Sequence, residues 1–571
     1  MTQTTEENKP CLVETRQGLS VIYRNRYLYS AYNPQNAIEK LVSTVNILPH
    51  TLVLCFSPIL GYGISLLKAK LPESSFLLIV ETDESLLPLY DWNLIGEDTA
   101  FIGPRTVSQL YELLSKKNQH AENGISIPPP GSFKRCLRLD LSGSVAFSSQ
   151  KYQEIHNITQ LAITTFWQNR MTLVKMARLF HRNFFRNLAL LPFSEKLLPQ
   201  SVEKSIVVIG AGPSADETIE HIAKNPQVRN AIYIISVDAA LSPLIAHNIV
   251  PDICVTLECQ YAIQQAYCNS IQKKIHIAAD LISRPSVLHG DTSLSPLETN
   301  CTGGTNSFFL SEFASTNFFQ HLAVKKILPF IIPPLGSVGI AATKLAVYLR
   351  KNTSISIFIS GLDFSFSPGK THCTNSFPIN AQLRNVTRLH PTSIGTNFYS
   401  GFYEKPQDGN TVLTTKTLMY YSAIFKDNFS QEKNLFNMAH KGLPLGIKKV
   451  SLKYFEEYIH RSQTNNIIPV AKTVAPNDYP SPETVKQLYC EEKEKLIKLR
   501  QGLTTGNLDK KQLFALLESM DYLYLHFPDG HKASLEISFL KRVRAEIDFF
   551  LKDITLGENL LDRLLQTKTS K

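Results

Sequence analysis

Residues 205–216 read SIVVIGAGPSAD, a run of β-branched residues that breaks into Gly210, Gly212, Pro213 and Ser214. Such a stretch predicts a buried parallel strand, a glycine turn, and a helix whose first N–H groups face a ligand. Ser214 is expected to cap this helix. The third glycine of a dinucleotide fingerprint is absent, which favours a nucleotide with fewer phosphates than NAD or FAD. A plain tight turn is the alternative interpretation.

The length and composition of the chain indicate a globular protein of several domains. The 571 residues are 43% hydrophobic and 19% charged, with a formal net charge of +10. That charge favours anionic partners such as nucleotides or acidic sugars, and the sequence holds no nucleic-acid module signature. Nine scattered cysteines fit a reducing compartment. Since the first residues do not resemble a signal peptide and no stretch suits a membrane span, we expect a cytoplasmic protein.

Strand and helix patterns alternate along the chain and predict an α/β fold. We expect an N-terminal α/β domain over 1–150, a helical connector over 151–204, a central α/β domain over 205–472 and a C-terminal helical domain over 473–571. The central domain is predicted to contain a doubly wound, Rossmann-like parallel sheet. Its expected strands cover 206–209, 231–237, 253–257, 275–279, 327–332 and 355–360.

Acidic side chains follow several of these strands. In an open parallel sheet, ligands bind at the carboxyl ends of the strands, where the strand order reverses. Asp238, Glu258 and Asp280 each follow a strand pattern, and Gly361 and Asp363 follow another. Any one of these acids can also cap a turn, but their common edge predicts a ligand site.

Two glycine-rich loops add hydroxyl groups and backbone amides. Asn306 belongs to the loop 302–307, which we expect before a Phe-rich helix, and Ser337 belongs to the loop 334–339, which opens another helix. Both loops suit an anion or close packing alone. Asp252 precedes its strand and is expected at the opposite edge of the sheet.

A polar segment after Asp363 carries Lys370 and His372 over the same edge. Because a histidine titrates near pH ~6.5, His372 can serve as a general base or an anion partner. His390 on the following segment is a rival, and an ordinary surface histidine is the alternative for both. The sequence contains no zinc-ligand spacing, GxSxG elbow or Walker A loop.

Together these motifs resemble the motility accessory factor family, the flagellin nonulosonic acid transferases, and their six-hydroxymethylpterin diphosphokinase-like domain. The resemblance spans roughly residues 15–460. Its segments are GYG at 61–63, GAGPS at 210–214, VD at 237–238, IVPD at 249–252, GSV at 336–338, SGLDF at 360–364, GKTH at 369–372, DGNTVLT at 408–414 and NMAHKG at 437–442. The GAGPS and SGLDF segments are also similar to those of bacterial sialyltransferases that use CMP-activated sialic acid.

The resemblance implies transfer of a pseudaminic- or legionaminic-type sugar from its CMP donor to Ser or Thr hydroxyls of flagellin. CMP carries one phosphate, which agrees with the incomplete glycine fingerprint. Amides of Gly212–Ser214 and Lys370 would stabilise the departing phosphate, and His372 or else His390 would take the acceptor proton. The remaining nucleotide-sugar contacts would come from Asp238, Glu258, Asn306, Ser337, Gly361 and Asp363.

Two other functions stay open at this point. The first is ATP-dependent diphosphate transfer to a pterin alcohol, with Mg²⁺ held by Asp238, Asp252 and Glu258. The second is a non-catalytic, flagellin-binding assembly factor built on a decayed transferase core. The leading hypothesis requires no cofactor beyond the CMP-sugar donor, and it leaves a divalent metal undecided.

Overall fold

The computed structural model describes residues 9–95, 99–106, 110, 114, 124–289, 299–311, 316–367, 369–389, 401–405, 411–464 and 479–569. Residue contacts divide the chain into two compact units, Met1–Val174 and Lys175–Lys571. The division falls within one long helix, Ser149–Asn187. No helix among the described residues is long and apolar enough to cross a membrane.

The first unit contains a small antiparallel sheet and a four-stranded parallel sheet. The antiparallel sheet has the order β1-β2-β3 and the parallel sheet the order β6-β5-β4-β7. The strands are β1 Cys11–Thr15, β2 Gly18–Tyr23, β3 Arg26–Tyr27, β4 Thr51–Phe56, β5 Phe76–Val80, β6 Ala100–Ile102 and β7 Arg135–Asp140. The helices before the long one are α1 Pro34–Thr44, α2 Ile64–Lys70 and α3 Trp92–Ile95.

Glu81, at the tip of β5, is a buried structural residue. Its carboxylate accepts hydrogen bonds from Ser57 Oγ at 2.6 Å, Tyr90 OH at 2.7 Å and Tyr152 OH at 2.9 Å. The backbone amides of the next two residues donate to it as well, at 2.7 and 2.9 Å. A buried carboxylate needs such donors to offset its lost hydration, so Glu81 fixes the ends of these strands.

The second unit is built on a nine-stranded, all-parallel sheet with the order β13-β12-β11-β10-β9-β8-β14-β17-β18. An antiparallel hairpin, β15-β16, lies outside it. The strands are β8 Ser205–Ile209, β9 Ile232–Val237, β10 Ile253–Thr256, β11 Ile277–Asp280, β12 Asn306–Ser311, β13 Phe330–Ile332, β14 Ile357–Ser360, β15 Phe402–Glu404, β16 Val412–Thr414, β17 Leu435–Asn437 and β18 Lys448–Lys449. This sheet confirms the predicted doubly wound, Rossmann-like fold.

Helices flank the large sheet on both faces. They are α4 Ser149–Asn187, which begins in the first unit, α5 Ala215–Lys224, α6 Pro226–Ala231, α7 Asp238–Ala246, α8 Gln264–Tyr267, α9 Pro285–Leu288, α10 Asn317–Val324, α11 Val338–Leu349, α12 Phe377–Arg384, α13 Lys416–Phe429, α14 Leu452–Thr464, α15 Pro482–Thr505, α16 Lys510–Ser519 and α17 Ile537–Thr569.

Successive residues of a strand pack into two separate hydrophobic cores, one on each face of the sheet. Val255 and Phe309 join the core that contains α11, whereas their neighbours Cys254 and Phe308 join the core that contains α15 and α17. This alternation follows from the two-residue repeat of a strand. The strands are therefore buried on both faces, as their continuous β-branched runs indicate.

The loop at 302–307 corrects one sequence prediction. We expected it to precede a Phe-rich helix, but Asn306 begins strand β12 and the phenylalanines continue that strand. A short apolar run suits a buried strand as well as a buried helix, so its periodicity does not distinguish the two. The helix that follows, α10, begins only at Asn317.

A buried charge cluster joins α4 to α17 and provides a stability test. Asp553 is 1% exposed and forms ion pairs with Arg182 and Arg186, including a 2.7 Å bond from Arg186 Nε. Asp553→Ala leaves both guanidinium groups without their partner and should lower the free energy of unfolding by about 3 kcal/mol. Chemical denaturation measures this loss.

Asp548→Ala on the same helix is the matched control. Asp548 is 73% exposed and pairs with Arg500 at 2.9 Å, so its loss should cost no more than about 0.5 kcal/mol. Equal losses for the two variants would contradict a structural role for the buried cluster.

Candidate functional site

The strand order of the large sheet reverses at β8. Strand β9 continues the chain on one side of β8, whereas β14 lies on the other side. Loops that leave neighbouring strands in opposite directions open a crevice at the carboxyl edge of the sheet. The two loops at this crevice are Gly210–Ser214 after β8 and Gly361–Asp363 after β14, as the sequence predicted.

Asp363 holds the two loops together. Its Oδ2 accepts a hydrogen bond from the Ser214 amide at 2.9 Å, and its Oδ1 accepts one from Ser214 Oγ. The Gly212 amide donates to the Gly361 carbonyl at 2.8 Å. Both amides expected to bind a phosphate therefore already have partners within the protein.

Ser214 also departs from its expected capping role. Helix α5 begins directly after it, but its side chain makes no capping hydrogen bond. The reason is its contact with Asp363, whose carboxylate sits at the start of the helix, where an anion is stabilised. Asp363 thus takes the position at which we expected the ligand's phosphate.

The glycines of this region allow the loops after β8 and β14 to approach each other closely. A Cβ on Gly212 would lie 2.7 Å from the Gly361 carbonyl oxygen, and Gly361 itself has a φ of +72°. Side chains at these positions would separate the two loops or strain the backbone. The close approach predicted for a ligand is therefore made by the neighbouring loop.

Asp363 also fixes a third loop, which follows β17. Its carbonyl accepts a hydrogen bond from the Leu443 amide at 2.8 Å. Gly442 has a φ of +115°, and a Cβ there would lie 2.6 Å from the same carbonyl oxygen. Burial raises the pKa of the Asp363 carboxyl, while the bonds from Ser214 and the charge of Lys449 oppose the rise.

A cleft of about 590 Å³ opens above Asp363, within the usual range for ligand pockets. Two of its residues are in contact, His440 Nε2 and Glu217 Oε2 at 3.1 Å, with both side chains about half exposed. The lining consists of Pro213, Ser214, Glu217, Asp363, Ser365, Phe366, Ser367, Gly369, Gly401, Tyr403, Thr411, Val412, Leu413, His440 and Lys441.

Lys370 and His372 lie beside the glycine loop but are not among the residues that line this cleft. Lys370 is paired with Asp216, and its Nζ also donates to Thr374 Oγ1 at 2.8 Å. His372 contacts Thr371 Oγ1 at 3.1 Å, and burial lowers its pKa. Its role as a base stays a prediction, and His390 lies outside the described residues.

The other strand-end acids are enclosed or apart from the cleft. Asp238 accepts hydrogen bonds from the Ala239 amide at 2.7 Å and Thr256 Oγ1 at 2.9 Å, and burial raises its pKa to about 6. Asp280 is bound by the Ser311 hydroxyl, and burial raises its pKa to about 7. Glu258 is exposed but, like these two, does not line the cleft.

Helix α4 explains why this part of the sheet edge is closed. Asn183 Nδ2 donates to the carbonyls of Cys259 and Ile282 at 3.1 and 3.0 Å. One turn later, Asn187 Nδ2 donates to the carbonyls of Leu281 and Ser283 at 2.9 and 2.7 Å. The helix therefore covers the loops after β10 and β11, and the switch point is the part that stays open.

Two further predicted site residues occupy other places. Asn306 is the first residue of β12, so it lies at the amino edge of the sheet, where its Nδ2 donates to the Leu288 carbonyl at 2.6 Å. This position corrects its expected place in the ligand site. Ser337 precedes α11 without capping it and does not line the cleft, although the start of α11 packs against Leu362.

The arrangement of the acidic side chains bears on metal binding. Over the described ranges, no group of three or more His, Cys, Asp or Glu side chains is arranged to hold a metal ion. Asp252 lies at the opposite edge, as expected, and its Oδ2 accepts a 2.7 Å hydrogen bond from the Ile234 amide. It therefore does not join Asp238 and Glu258 in a common site.

Comparisons with known proteins identify a family domain, a relative and a similar fold. A family model for 6-hydroxymethylpterin diphosphokinase MptE-like proteins matches residues 180–369. A protein of Treponema pallidum (strain Nichols), described as uncharacterized, is 32% identical over 97% of this chain and 96% of its own length. The chain belongs to the same family as this Treponema protein, and residues 180–369 match an MptE-like domain. The matched region contains both loops at the switch point but ends before His440 and Lys441.

A solved structure shares the fold along almost the whole chain. The structure of a Maf glycosyltransferase from Magnetospirillum magneticum AMB-1 matches with a TM-score of 0.54 and 13% identity, covering 98% of this chain and 91% of that one. The family domain and the motility accessory factor fold expected from the sequence are thereby confirmed.

Sequence analysis gave no role to several residues that line the cleft. His440 and Lys441 belong to the NMAHKG segment, and Tyr403 lies near the DGNTVLT segment, yet neither motif has a chemical signature of its own. The sequence indicated a site here only through position, since His440 and Lys441 follow the short apolar run of β17. Glu217 lies in the first turn of α5, where it contacts His440.

Asp280 gives a pH test of the enclosed edge. Its pKa is about 7 in the folded protein against an ordinary value of 3.8, so unfolding releases a proton between these pH values and wild-type stability falls as pH rises. Asp280→Asn lacks this titration. From pH 4 to pH 8, the free energy of unfolding of the wild type should therefore fall by roughly 3 kcal/mol relative to that of Asp280→Asn.

Urea denaturation of both proteins across this pH range measures the difference. The loss of individual hydrogen bonds in the variant is independent of pH and shifts the whole curve without changing its slope. Parallel curves for the two proteins would contradict a raised pKa at Asp280.

Proposed function

We propose that this protein is a glycosyltransferase that moves a nonulosonic acid of the pseudaminic or legionaminic type from its CMP donor to Ser or Thr of flagellin. The observation that carries the proposal is the open cleft at the switch point, which is lined by Asp363, Lys441 and the His440–Glu217 pair. The fold shared with a Maf glycosyltransferase supports the reaction class.

The reaction needs a base and an anion-stabilising group. The bond between the anomeric carbon and the phosphate oxygen breaks, and the acceptor hydroxyl forms the new glycosidic bond and loses its proton. CMP departs with the bonding electrons as an anion. A cleft lined by a lysine and a histidine supplies both functions.

His440 is the best-placed proton acceptor in the cleft. Glu217 contacts Nε2 of the ring, which favours the tautomer with Nε2–H directed at the carboxylate and leaves Nδ1 to receive the acceptor's proton. The carboxylate then stabilises the imidazolium that forms, as in other His–acid pairs. This assignment replaces His372, which does not line the cleft, as the first choice for the base.

The alternative of diphosphate transfer to a pterin alcohol draws on the name of the matching family model. Its expected Mg²⁺ site needs Asp238, Asp252 and Glu258 together, whereas Asp252 lies at the opposite edge of the sheet. The geometry therefore favours the sugar transferase, and an assay can compare the two reactions directly.

A transfer assay with the full chain tests the proposed reaction. Incubation with CMP-pseudaminic or CMP-legionaminic acid and flagellin should release one CMP for each sugar added to flagellin, measured by chromatography and intact-protein mass spectrometry. Reactions without flagellin or without donor are the controls. Parallel reactions with ATP, Mg²⁺ and 6-hydroxymethylpterin should release no AMP.

Two results would contradict the proposal. AMP release without CMP release would favour the diphosphokinase, and flagellin binding without turnover of either donor would favour the assembly factor.

Histidine variants test the base. His440→Gln should lower kcat by about 10²–10⁴-fold and leave the Kd for CMP within about twofold, because the ring acts on the acceptor's proton. His460→Gln is the matched control, since His460 also faces a glutamate, Glu456 at 3.8 Å, but lies on α14 outside the cleft. A larger loss of kcat in His372→Gln than in His440→Gln would return the role of base to His372.

A further inference from the structure

One wall of the cleft is an apolar row that crosses three backbone segments. Leu413 in β16 pairs with Tyr403 in β15, and a β-bridge on its other side pairs it with Phe366. Side chains directly opposite each other in a ladder share a face of the sheet. All three residues line the cleft, so they form one surface, which we call the aromatic wall.

Tyr403 is conspicuous within the aromatic wall because it is 75% exposed. A large aromatic side chain at the rim of a pocket offers a flat apolar face with a polar tip. Stacking of a nucleobase on such a face tolerates different bases and contributes substantially to affinity. The aromatic wall therefore suits a planar ring.

The loop after β17 brings a positive charge without a carboxylate partner to the cleft. Lys441 is exposed, and no carboxylate forms an ion pair with it in the part of the chain that the structure describes. Its neighbour His440 is paired with Glu217. The turn at Gly442, packed against the Asp363 backbone, fixes the place of Lys441 on this rim.

The glycine loop after β8 does not provide the contact for an anion. Its amides at Gly212 and Ser214 donate to Gly361 and Asp363, and an anion placed there would meet the Asp363 carboxylate. Hydroxyl and carboxylate groups, including Ser365 and Asp363, also line the cleft and suit the hydroxyl groups of a sugar.

We propose that the cleft binds a nucleoside monophosphate group with its base stacked on Tyr403 of the aromatic wall and its phosphate beside Lys441. The assignment rests on the proposed function and adds the orientation of the donor within the site. It also moves the anion contact from the glycine loop after β8 to the loop after β17.

Calorimetry with the full chain tests the two contacts separately, using CMP and cytidine as probes. Lys441→Met should weaken CMP binding about tenfold and leave cytidine binding unchanged, because only CMP carries the phosphate. Tyr403→Leu should weaken the binding of CMP and of cytidine about tenfold. Tyr403→Phe should bind both ligands with the wild-type affinity, because it keeps the aromatic face.

Matched controls come from exposed residues elsewhere in the same unit. Lys453→Met on α14 and Tyr261→Leu, whose ring is 68% exposed, remove the same side chains outside the cleft and should leave both affinities unchanged. Circular dichroism and the unfolding midpoint verify that every variant is folded.

The outcomes separate this inference from the proposed function. Wild-type protein that binds CMP while Lys441→Met or Tyr403→Leu retains full affinity overturns the orientation and leaves the transferase proposal in place. An equal loss of CMP and cytidine binding in Lys441→Met also overturns it. Wild-type protein that binds no CMP contradicts the proposed donor, and with it the inference.

Discussion

The contact between Asp363 and Ser214 is the interaction on which the site depends. It joins the loop after β8 to the loop after β14 at the point where the strand order reverses. The same residue binds the loop after β17 through its backbone carbonyl, at the Leu443 amide. A single residue thus sets the positions of three loops, through its buried carboxylate and its backbone carbonyl, and lines the cleft.

The open part of the sheet edge is small because a helix covers the rest. Asn183 and Asn187, one turn apart on α4, bind four carbonyl groups in the loops after β10 and β11. These bonds satisfy backbone groups that would otherwise be exposed at the edge. Asp238 and Asp280 are buried within the fold and do not line the cleft, whereas Asp363 does.

Sequence analysis predicted the central architecture because its signals are local. The β-branched runs of β8 and β14 and the glycines that follow them identify buried parallel strands with tight turns. It misassigned Asn306 because a short apolar run does not distinguish strand from helix. It gave no role to His440 because the residue that His440 contacts, Glu217, is far away in the chain and only folding brings the two together.

The measurement that tests the central claim most directly is a crystal structure of the full chain with CMP. We expect electron density for the nucleotide in the cleft above Asp363, between the hairpin β15-β16 and the loop after β17, with the Asp363–Ser214 contact intact. Density at another place on the protein, or a phosphate bound to the Gly212 and Ser214 amides in place of Asp363, would contradict the account.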